Sequence, residues 1–583
     1  MTIRAGELRP SQAVTQSGPG SLIDLPTLSM IVAGIDSWNE STARRVDEPR
    51  LAKRLRVETF REPPYYRSGD GLGGIPARLF PRFLTCPRCN RLAPHTKFEF
   101  EPRAARHLCK SPSCGGGGKA IAYPARYMVA CARGHLADFP WHLYIHGPGS
   151  DCTEELSLED SGRTGAITDI WIKCAKHGVS RNLGQAFGVA GRQSLPKCSA
   201  LRPWFGDVDP AGCNKQPRVL LRGASNAYFP VTESAISIPP WSDPIQISLG
   251  EYFDQLSKVD SLDRLKLWLD VNNAPELDVH LPEQLWQALS RRRTGEVNAM
   301  NLKEEEWRAF QTSSLKIDAQ SEFKARLVET PSELATWLDR LVLIERLREV
   351  RALRGFSRID PVPDVGDLDE VEAVKAGLAP IRKVVTRWLP AVDFRGEGIL
   401  VQLKEDHLKA WEEDPNVKAF TQLLENAERA WHQSRGLEIR AVQPVRYFLL
   451  HTLAHLLIRQ LSLDCGYSAA SLRERIYCSS ASAMPMAGIL IYTATPDSEG
   501  SLGGLVEQGR SDTFGPLVKR ALFDAQLCAN DPLCADRGGD DLNWAACHAC
   551  LLISETACES GNHYLDRGVL VATVHASGHA FIP

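Results

Sequence analysis

Sixteen cysteines stand in this 583-residue chain, and their spacing limits what it can fold into. Cys86-Pro-Arg-Cys89 is followed by Cys109-Lys-Ser-Pro-Ser-Cys114, and the far end carries Cys528, Cys534, Cys547-His-Ala-Cys550 and Cys558. Between residues 214 and 464 there is none. Two thiolates at Cys-x2-Cys spacing reach one ion from a single tight turn, and a second pair completes a tetrahedron of sulfurs. The chain reads as a scaffold stapled by metal, and zinc is the expected cofactor.

Cys86, Cys89, Cys109 and Cys114 have a zinc-ribbon-like form, two knuckles separated by a hairpin-sized span. Charged and turn-forming neighbours such as Arg88, Lys110 and Pro112 place them on loops, not in an apolar core. A second site is expected from Cys174-Ala-Lys-His177 with Cys198 and Cys213, with Cys131, His135 and Cys152 left over as further candidates. Cys131-Ala-Arg-Gly-His135 is explained as well by a turn holding a hydrogen-bonded histidine. A third site needs four of Cys528, Cys534, Cys547, Cys550 and Cys558, and one of Cys528 and Cys534 is then only a neighbour. Thiol-rich sets with no evident open position are structural, not catalytic.

At ~150 residues per domain, the length allows about three to five domains. The segments are a basic N-terminal part (residues 1–80), a β-rich zinc-binding domain (81–240), a helical region (241–440) and a C-terminal α/β zinc-binding domain (441–583). The fold class is thus multidomain α+β: zinc-ribbon-like in front, helical in the middle, α/β with a Cys-rich zinc site at the end. The helical expectation rests on Leu262, Leu265, Leu267 and Trp268, and on Leu334, Trp337, Leu338, Leu341, Ile344 and Leu347 with charges between them. Tyr447 to Leu461 predicts an apolar helix, Gly488 to Ala494 a buried strand and Phe514 to Leu527 a helix. The N-terminus lacks a signal-peptide pattern, and the longest apolar run, Tyr447 to Leu457, is too short to span a bilayer. A cytoplasmic location is expected, where clustered cysteines serve as metal ligands more often than as disulfides.

Net charge is −3 over the whole chain, yet through residue 135 Lys and Arg number 21 against 11 acids, an excess of ten. Such a front end suits an anionic partner. The densest stretch holds Arg44, Arg45, Lys53, Arg54, Arg56 and Arg61, with Tyr65 and Tyr66. Phosphate contact by the cations and base stacking by the tyrosines fit it, as does a solvated helix surface, because Asp47, Glu48, Glu58 and Glu62 are interleaved.

Motifs for catalysis are weak. His451-Thr-Leu-Ala-His455 puts two histidines on one helical face, but Thr452 stands where a zinc protease needs glutamate, so core packing or partner contact is expected. Gly500, Gly503 and Gly504 follow a strand, but no Gly-Lys-Ser/Thr completes a P-loop. Asp497 and Glu499 beside them suit a divalent ion for phosphodiester chemistry, although a third acid at suitable spacing is not evident.

Several long motifs resemble the DrmB family of the bacterial DISARM anti-phage system. They are Leu8-Arg-Pro-Ser-Gln, Gly18-Pro-Gly20, Ile31 to Trp38, Cys131-Ala-Arg-Gly-His-Leu-Ala-Asp-Phe-Pro-Trp141, Arg222-Gly-Ala-Ser-Asn226, Asp531-Pro-Leu-Cys534, Ala546-Cys-His-Ala-Cys550, Glu555-Thr-Ala-Cys-Glu559 and Leu565-Asp-Arg567. The final ~140 residues, about one domain's length, also resemble a C-terminal domain of unknown function attached to a family of bacterial DNA-repair helicases, where a cysteine cluster binds zinc. The resemblance implies a separate superfamily 2 helicase, DrmA, as partner, supplying the ATPase that this chain lacks. The reading is a non-catalytic accessory subunit that binds DNA without sequence preference and stays off membranes. A metal-dependent DNA-processing enzyme and a structural bridge that never touches DNA are the alternatives.

Overall fold

The computed structural model describes residues 6–64, 73–114, 120–162, 166–294, 301–312, 321–361, 377–435, 442–481, 484–494, 503–536, 538, 542–575 and 578–582. It is a multidomain α+β protein in which the chain forms two compact units, each from separated segments. One unit is Met1–Arg44, Arg61–Glu233 and Ala352–Val392, and the other is Arg45–Phe60, Ser234–Arg351 and Asp393–Pro583. This differs from four consecutive domains. The long strands Leu338–Ser357 and Trp388–Leu403 each carry the chain from one unit to the other, so a boundary falls inside a strand.

The first unit is β-rich. Its largest sheet is antiparallel, in the order Val179–Asn182, Ile170–Cys174, Leu156–Asp160, Arg91–Pro94, Phe83–Thr85, Ala120–Pro124, Arg106–Cys109 and Glu99–Glu101. Its strands are short, three to five residues, and leave many turns in which metal ligands can sit. Phe139, Trp141, Tyr144, Ile172 and Leu183 form its main apolar cluster.

Arg358 is the keystone of this unit's turns. Its side chain is buried and donates to the carbonyls of Gly134 at 2.9 Å and Gly20 at 2.6 Å, and also to that of Ala227. The guanidinium lies over the rings of Phe356 and Trp204. Burial without a facing carboxylate lowers its pKa to about 9. Gly20 and Gly134 have φ of +87° and +79°, and a Cβ at either would lie 2.4 Å from a neighbouring side chain. Glycine alone fits both demands.

The second unit holds a helical layer, Pro244–Leu256, Leu262–Val271, Pro275–Asp278 and Pro282–Thr294, around Leu249, Leu265, Leu277, Leu285 and Leu289, followed by helix Leu302–Gln311. The helical expectation holds again at Glu405–Glu412 and Pro415–Arg435 but fails between them and this layer, where strands run from Lys324 to Leu403. Leu338 to Leu347 belongs to the 20-residue strand Leu338–Ser357, buried along most of its length. Within the segment read as heptads, Asp339 is exposed and Arg340, Glu345 and Arg346 are half-buried, and further along the same strand the charges are paired: Arg348 meets Asp393 at 3.2 Å, Arg351 meets Glu349 at 2.8 Å, and Arg354 meets Glu233 at 2.9 Å. With apolar residues buried along most of its length, the segment is a strand covered on both faces.

Leu338–Ser357, Trp388–Leu403, Met486–Thr493 and Leu472–Ser479 form a sheet, and helix Val445–Cys465 packs on the last two strands. That helix is apolar all round, so it is buried all round: of Val445 to Leu461 only Arg459 is less than buried. Gly466, at φ +71°, ends it. The expected strand near Gly488 and helix near Phe514 are present as Met486–Thr493 and Ser511–Ala525. Among the described residues, no helix is long and apolar enough to cross a membrane.

A buried ionic hub joins helix Leu302–Gln311 to this sheet. Glu306 accepts from Arg475 at 2.6 and 2.9 Å, from the Tyr477 hydroxyl at 2.9 Å and from the Ile236 amide at 3.0 Å. Removing the carboxylate strands a buried guanidinium, which costs about 3–5 kcal/mol. Glu306→Ala should therefore lower the unfolding midpoint of this unit, while the exposed change Glu413→Ala should not. Thermal melts of the two variants check it.

Candidate metal centres

A sulfur tetrahedron around zinc, with bonds of about 2.3 Å, has edges of about 3.8 Å. A disulfide would need about 2.05 Å. The cysteine pairs here fall at the first spacing.

The hairpin of Phe83–Thr85 and Arg91–Pro94 pairs as far as Thr85 with Leu92, leaving residues 86–90 as the turn. Asn90 closes it in a left-handed conformation, φ 58°, its amide donating to the Cys86 carbonyl at 2.8 Å. Cys109 ends the strand Arg106–Cys109, and Cys114 lies in the following turn. The result sets Cys86 Sγ 3.7 Å from Cys114 Sγ, and Cys89 Sγ 3.7 Å from Cys109 Sγ.

The residues expected to share one second site divide between two clusters. Strand Tyr127–Ala130 pairs with Arg218–Leu221, so Cys131, after the first, meets Cys213, before the second, at 3.9 Å. His135 Nδ1 lies 3.5 Å from Cys131 Sγ and 3.7 Å from Cys198 Sγ. The turn expected at Cys131 to His135 is there, and it aims both ends into this cluster: the Cys131 amide donates to the His135 carbonyl at 3.2 Å. His135 Nε2 faces Asp209 Oδ2 at 3.0 Å, the carboxylate–histidine pairing that fixes a ring's orientation toward a metal. Cys174 and His177 instead join Cys152 and His146. His177 Nδ1 is 3.3 Å from Cys174 Sγ and 3.6 Å from Cys152 Sγ. His146, at the end of helix Trp141–His146, was missed by sequence reasoning, because it stands alone and only the packing of that helix on strands Ile170–Cys174 and Val179–Asn182 brings it in.

At the C-terminal end both Cys528 and Cys534 join Cys547 and Cys550. Cys528 Sγ is 3.5 Å from Cys547 Sγ, and Cys534 Sγ is 3.6 Å from Cys550 Sγ. Arg567, fully buried, donates to Cys534 Sγ at 3.7 Å and to Asp531 at 2.9 Å, and Asp531 accepts from the Cys528 amide at 2.8 Å. Two of the resemblance motifs are thus the outer shell of one cluster. Cys558 is not its ligand. It lies instead with His451, His455 and Glu474.

Electrostatics inside the clusters is divided. Hydrogen bonding from Cys198, with His135 beside it, holds Cys131 down at about 4 against burial. Burial pushes Cys547 up, but the Asn530 amide and the Ala549 N–H outweigh it and hold it at about 6. Burial drives Cys89 up to about 12 and Cys534 up to about 11. Neighbouring thiols cannot all ionise unaided, and a dication at the centre removes the conflict.

Several cations of the basic stretch pair with acids. Arg44 pairs with Glu62 at 2.7 Å, Arg45 with Asp47 at 3.7 Å and Arg61 with Glu40 at 2.9 Å. Lys53 and Arg56 are exposed and Arg54 is half-buried, at the end of helix Pro49–Arg54 and just beyond it. Tyr65 and Tyr66 lie outside the described residues, as do Asp497, Glu499 and Gly500.

A two-unit α+β scaffold with Cys and Cys/His tetrads is a zinc-binding protein, and the comparisons with known proteins agree. Residues 453–551 match the family described as MrfA Zn-binding domain, which spans all four C-terminal ligands. Residues 9–229, which span the three N-terminal clusters, match a family described as Domain of unknown function (DUF8724). Over 578 residues, 95% of this chain and 98% of the relative, the sequence is 32% identical to DISARM protein DrmB of Bacillus paralicheniformis. The chain belongs to the DISARM DrmB family, and zinc is its cofactor.

Two outcomes test the clusters. Cys547→Ser should remove one zinc per chain and destabilise the second unit, because metal binding is part of its folding energy. Zinc analysis with a melting curve reads both. Asp209→Asn should keep the fold but weaken zinc at its cluster about 10–100-fold, the usual effect of removing an outer-shell partner. Competition against a chromophoric chelator measures it, with Asp209→Asn losing one zinc before the parent does.

Proposed function

We infer that this chain is a non-catalytic, zinc-stabilised accessory subunit of an anti-phage DNA translocase. The similarity to a DISARM protein along 95% of the chain carries the reading. The four clusters support it. Each offers four protein donors, which leaves no open position for substrate and suits structural zinc, the first in a zinc-ribbon-like form. The sequence holds no Gly-Lys-Ser/Thr phosphate loop, so the motor is a separate superfamily 2 helicase, DrmA.

DNA is bound through its backbone, so form rather than sequence is recognised. Lys53, Arg54 and Arg56 are the phosphate contacts, grouped at the end of one short helix. Arg44, Arg45 and Arg61 pair with acids. That pairing favours the second reading, a bridge that holds the helicase without touching DNA.

Co-purification with the helicase, followed by DNA binding of each chain alone and of the complex, separates the readings. Simultaneous Lys53→Glu, Arg54→Glu and Arg56→Glu should weaken binding for all sequences alike and flatten its salt dependence, by about 1 in slope for each phosphate no longer neutralised. Unchanged affinity and slope in a variant that still co-purifies would leave the bridge.

A further inference from the structure

Helix Val445–Cys465, strand Leu472–Ser479 and the turn around Cys558 converge on four donor atoms in the second unit. His451 and His455 stand one helical turn apart on the helix, their rings 4.5 Å apart. Glu474 faces them from the strand, and Cys558 closes the group from the turn. One donor atom from each lies within 4.8 Å of all the others. His451 Nε2 is 2.9 Å from Glu474 Oε1 and 3.1 Å from Cys558 Sγ, and His455 Nε2 is 3.5 Å from Glu474 Oε2. The side chains of His451, His455 and Glu474 are fully buried.

Three details turn these residues into ligands. First, His455 Nδ1 is 2.9 Å from the Leu551 carbonyl, to which only an N–H can donate. The lone pair is therefore on Nε2, aimed into the group. Second, His455 Nε2 and Glu474 Oε2 are buried with no hydrogen-bond partner among the described residues, although they face one another. Two buried acceptors pointed together are unfavourable unless a cation lies between them. Third, the amides of Ser560 and Asn562 both donate to Cys558 Sγ, at 3.3 and 3.2 Å. Backbone donors on sulfur favour the thiolate. The same amide two residues on serves Cys528, from Asn530 at 3.4 Å, and Cys198, from Ala200 at 3.4 Å, both in the clusters already described.

We propose that His451, His455, Glu474 and Cys558 form a fifth metal site, which holds one zinc ion. A donor set of two imidazoles, one carboxylate and one thiolate suits zinc. One carboxylate and one thiolate neutralise the dication, so the filled site carries no net charge into the core. Binding displaces the Cys558 thiol proton to solvent. All four positions are taken by protein, so the ion is structural. It clamps the turn of the Glu555-Thr-Ala-Cys-Glu559 motif onto the helix and the sheet. His455 and Glu474 lie within residues 453–551, while His451 and Cys558 lie outside them, so the site shares only half of its donors with the zinc-binding domain matched there and uses none of that domain's four cysteines.

The test uses the full-length chain, purified without added metal and analysed by plasma mass spectrometry. Five zinc ions per chain are expected, and four in Cys558→Ser. Cys547→Ser, run alongside, should also lose one, which shows that a single loss is resolved. A Cys558→Ser protein that folds and keeps the parent's zinc content overturns the proposal. Should that variant fail to fold, anomalous scattering at the zinc edge from crystals of the parent decides. A peak between His451, His455 and Glu474 supports the site, and its absence beside occupied cysteine tetrads overturns it.

Discussion

Attraction between a dication and several thiolates is the interaction on which this architecture depends. The first unit spreads its sheet over strands of three to five residues, too short to bury much apolar area each. Two clusters stitch their turns: residues 86–114 tie the turn between the two central strands to the end of strand Arg106–Cys109, and residues 146–177 fasten the end at Ile170–Cys174, while residues 131–213 fasten the separate sheet that holds Tyr127–Ala130. The tetrad of residues 131–213 brings together thiols whose protonation states conflict when no cation is present, with Cys131 depressed and Cys198 raised. Metal binding resolves the conflict and contributes folding energy in the same step.

The second constraint is the arginine buried in place of a hydrophobic residue. Arg358 gathers three turn carbonyls in the first unit, and Arg567 holds the backbone around the C-terminal cluster, donating to the Ala525 carbonyl at 2.8 Å as well as to Asp531. A guanidinium presents five donors in a rigid plane, so it can satisfy several carbonyls that no other side chain reaches together. The resemblance motifs Gly18-Pro-Gly20 and Cys131 to Trp141 meet at Arg358. Their glycines are therefore explained by geometry: the carbonyl must be offered to the guanidinium from a left-handed backbone packed against a ring or a methyl group.

What was legible in the sequence was local. Cys86-x2-Cys89 and Cys547-x2-Cys550 are knuckles whose ligands share one turn, and helix Val445–Cys465 announces itself by an unbroken apolar run. What was not legible depends on pairing across the chain. Cys131 meets Cys213 only because two strands pair in register, and His146 meets His177 only because one short helix lies on two strands. The strand Leu338–Ser357 was misread for the same reason. The burial of both its faces depends on segments elsewhere in the chain and leaves no trace in the local pattern. Pairs such as Arg50 with Glu48 at 3.2 Å and Arg106 with Glu101 at 2.6 Å fall within residues 1–135 and leave the excess of ten positive charges there unchanged.

The two histidines of helix Val445–Cys465 show where such reasoning stops. Judged against the zinc-protease pattern, Thr452 removes the catalytic glutamate, and the pair reads as core packing. Thr452 serves the fold in a different way. Its hydroxyl accepts from the Asp566 amide at 3.0 Å, which pins the segment carrying Arg567 to the helix. Leu551, whose carbonyl orients His455, directly follows Cys550. One face of one helix thus touches the cysteine cluster through Leu551, its outer shell through Asp566, and Glu474 with Cys558 through the histidines. The carboxylate missing from the helix is supplied by a strand, and it completes a closed set of four donors in place of a catalytic one. In this fold, metal chemistry on a helical His-x3-His pair is architectural, and the substrate-facing surface has to be sought elsewhere.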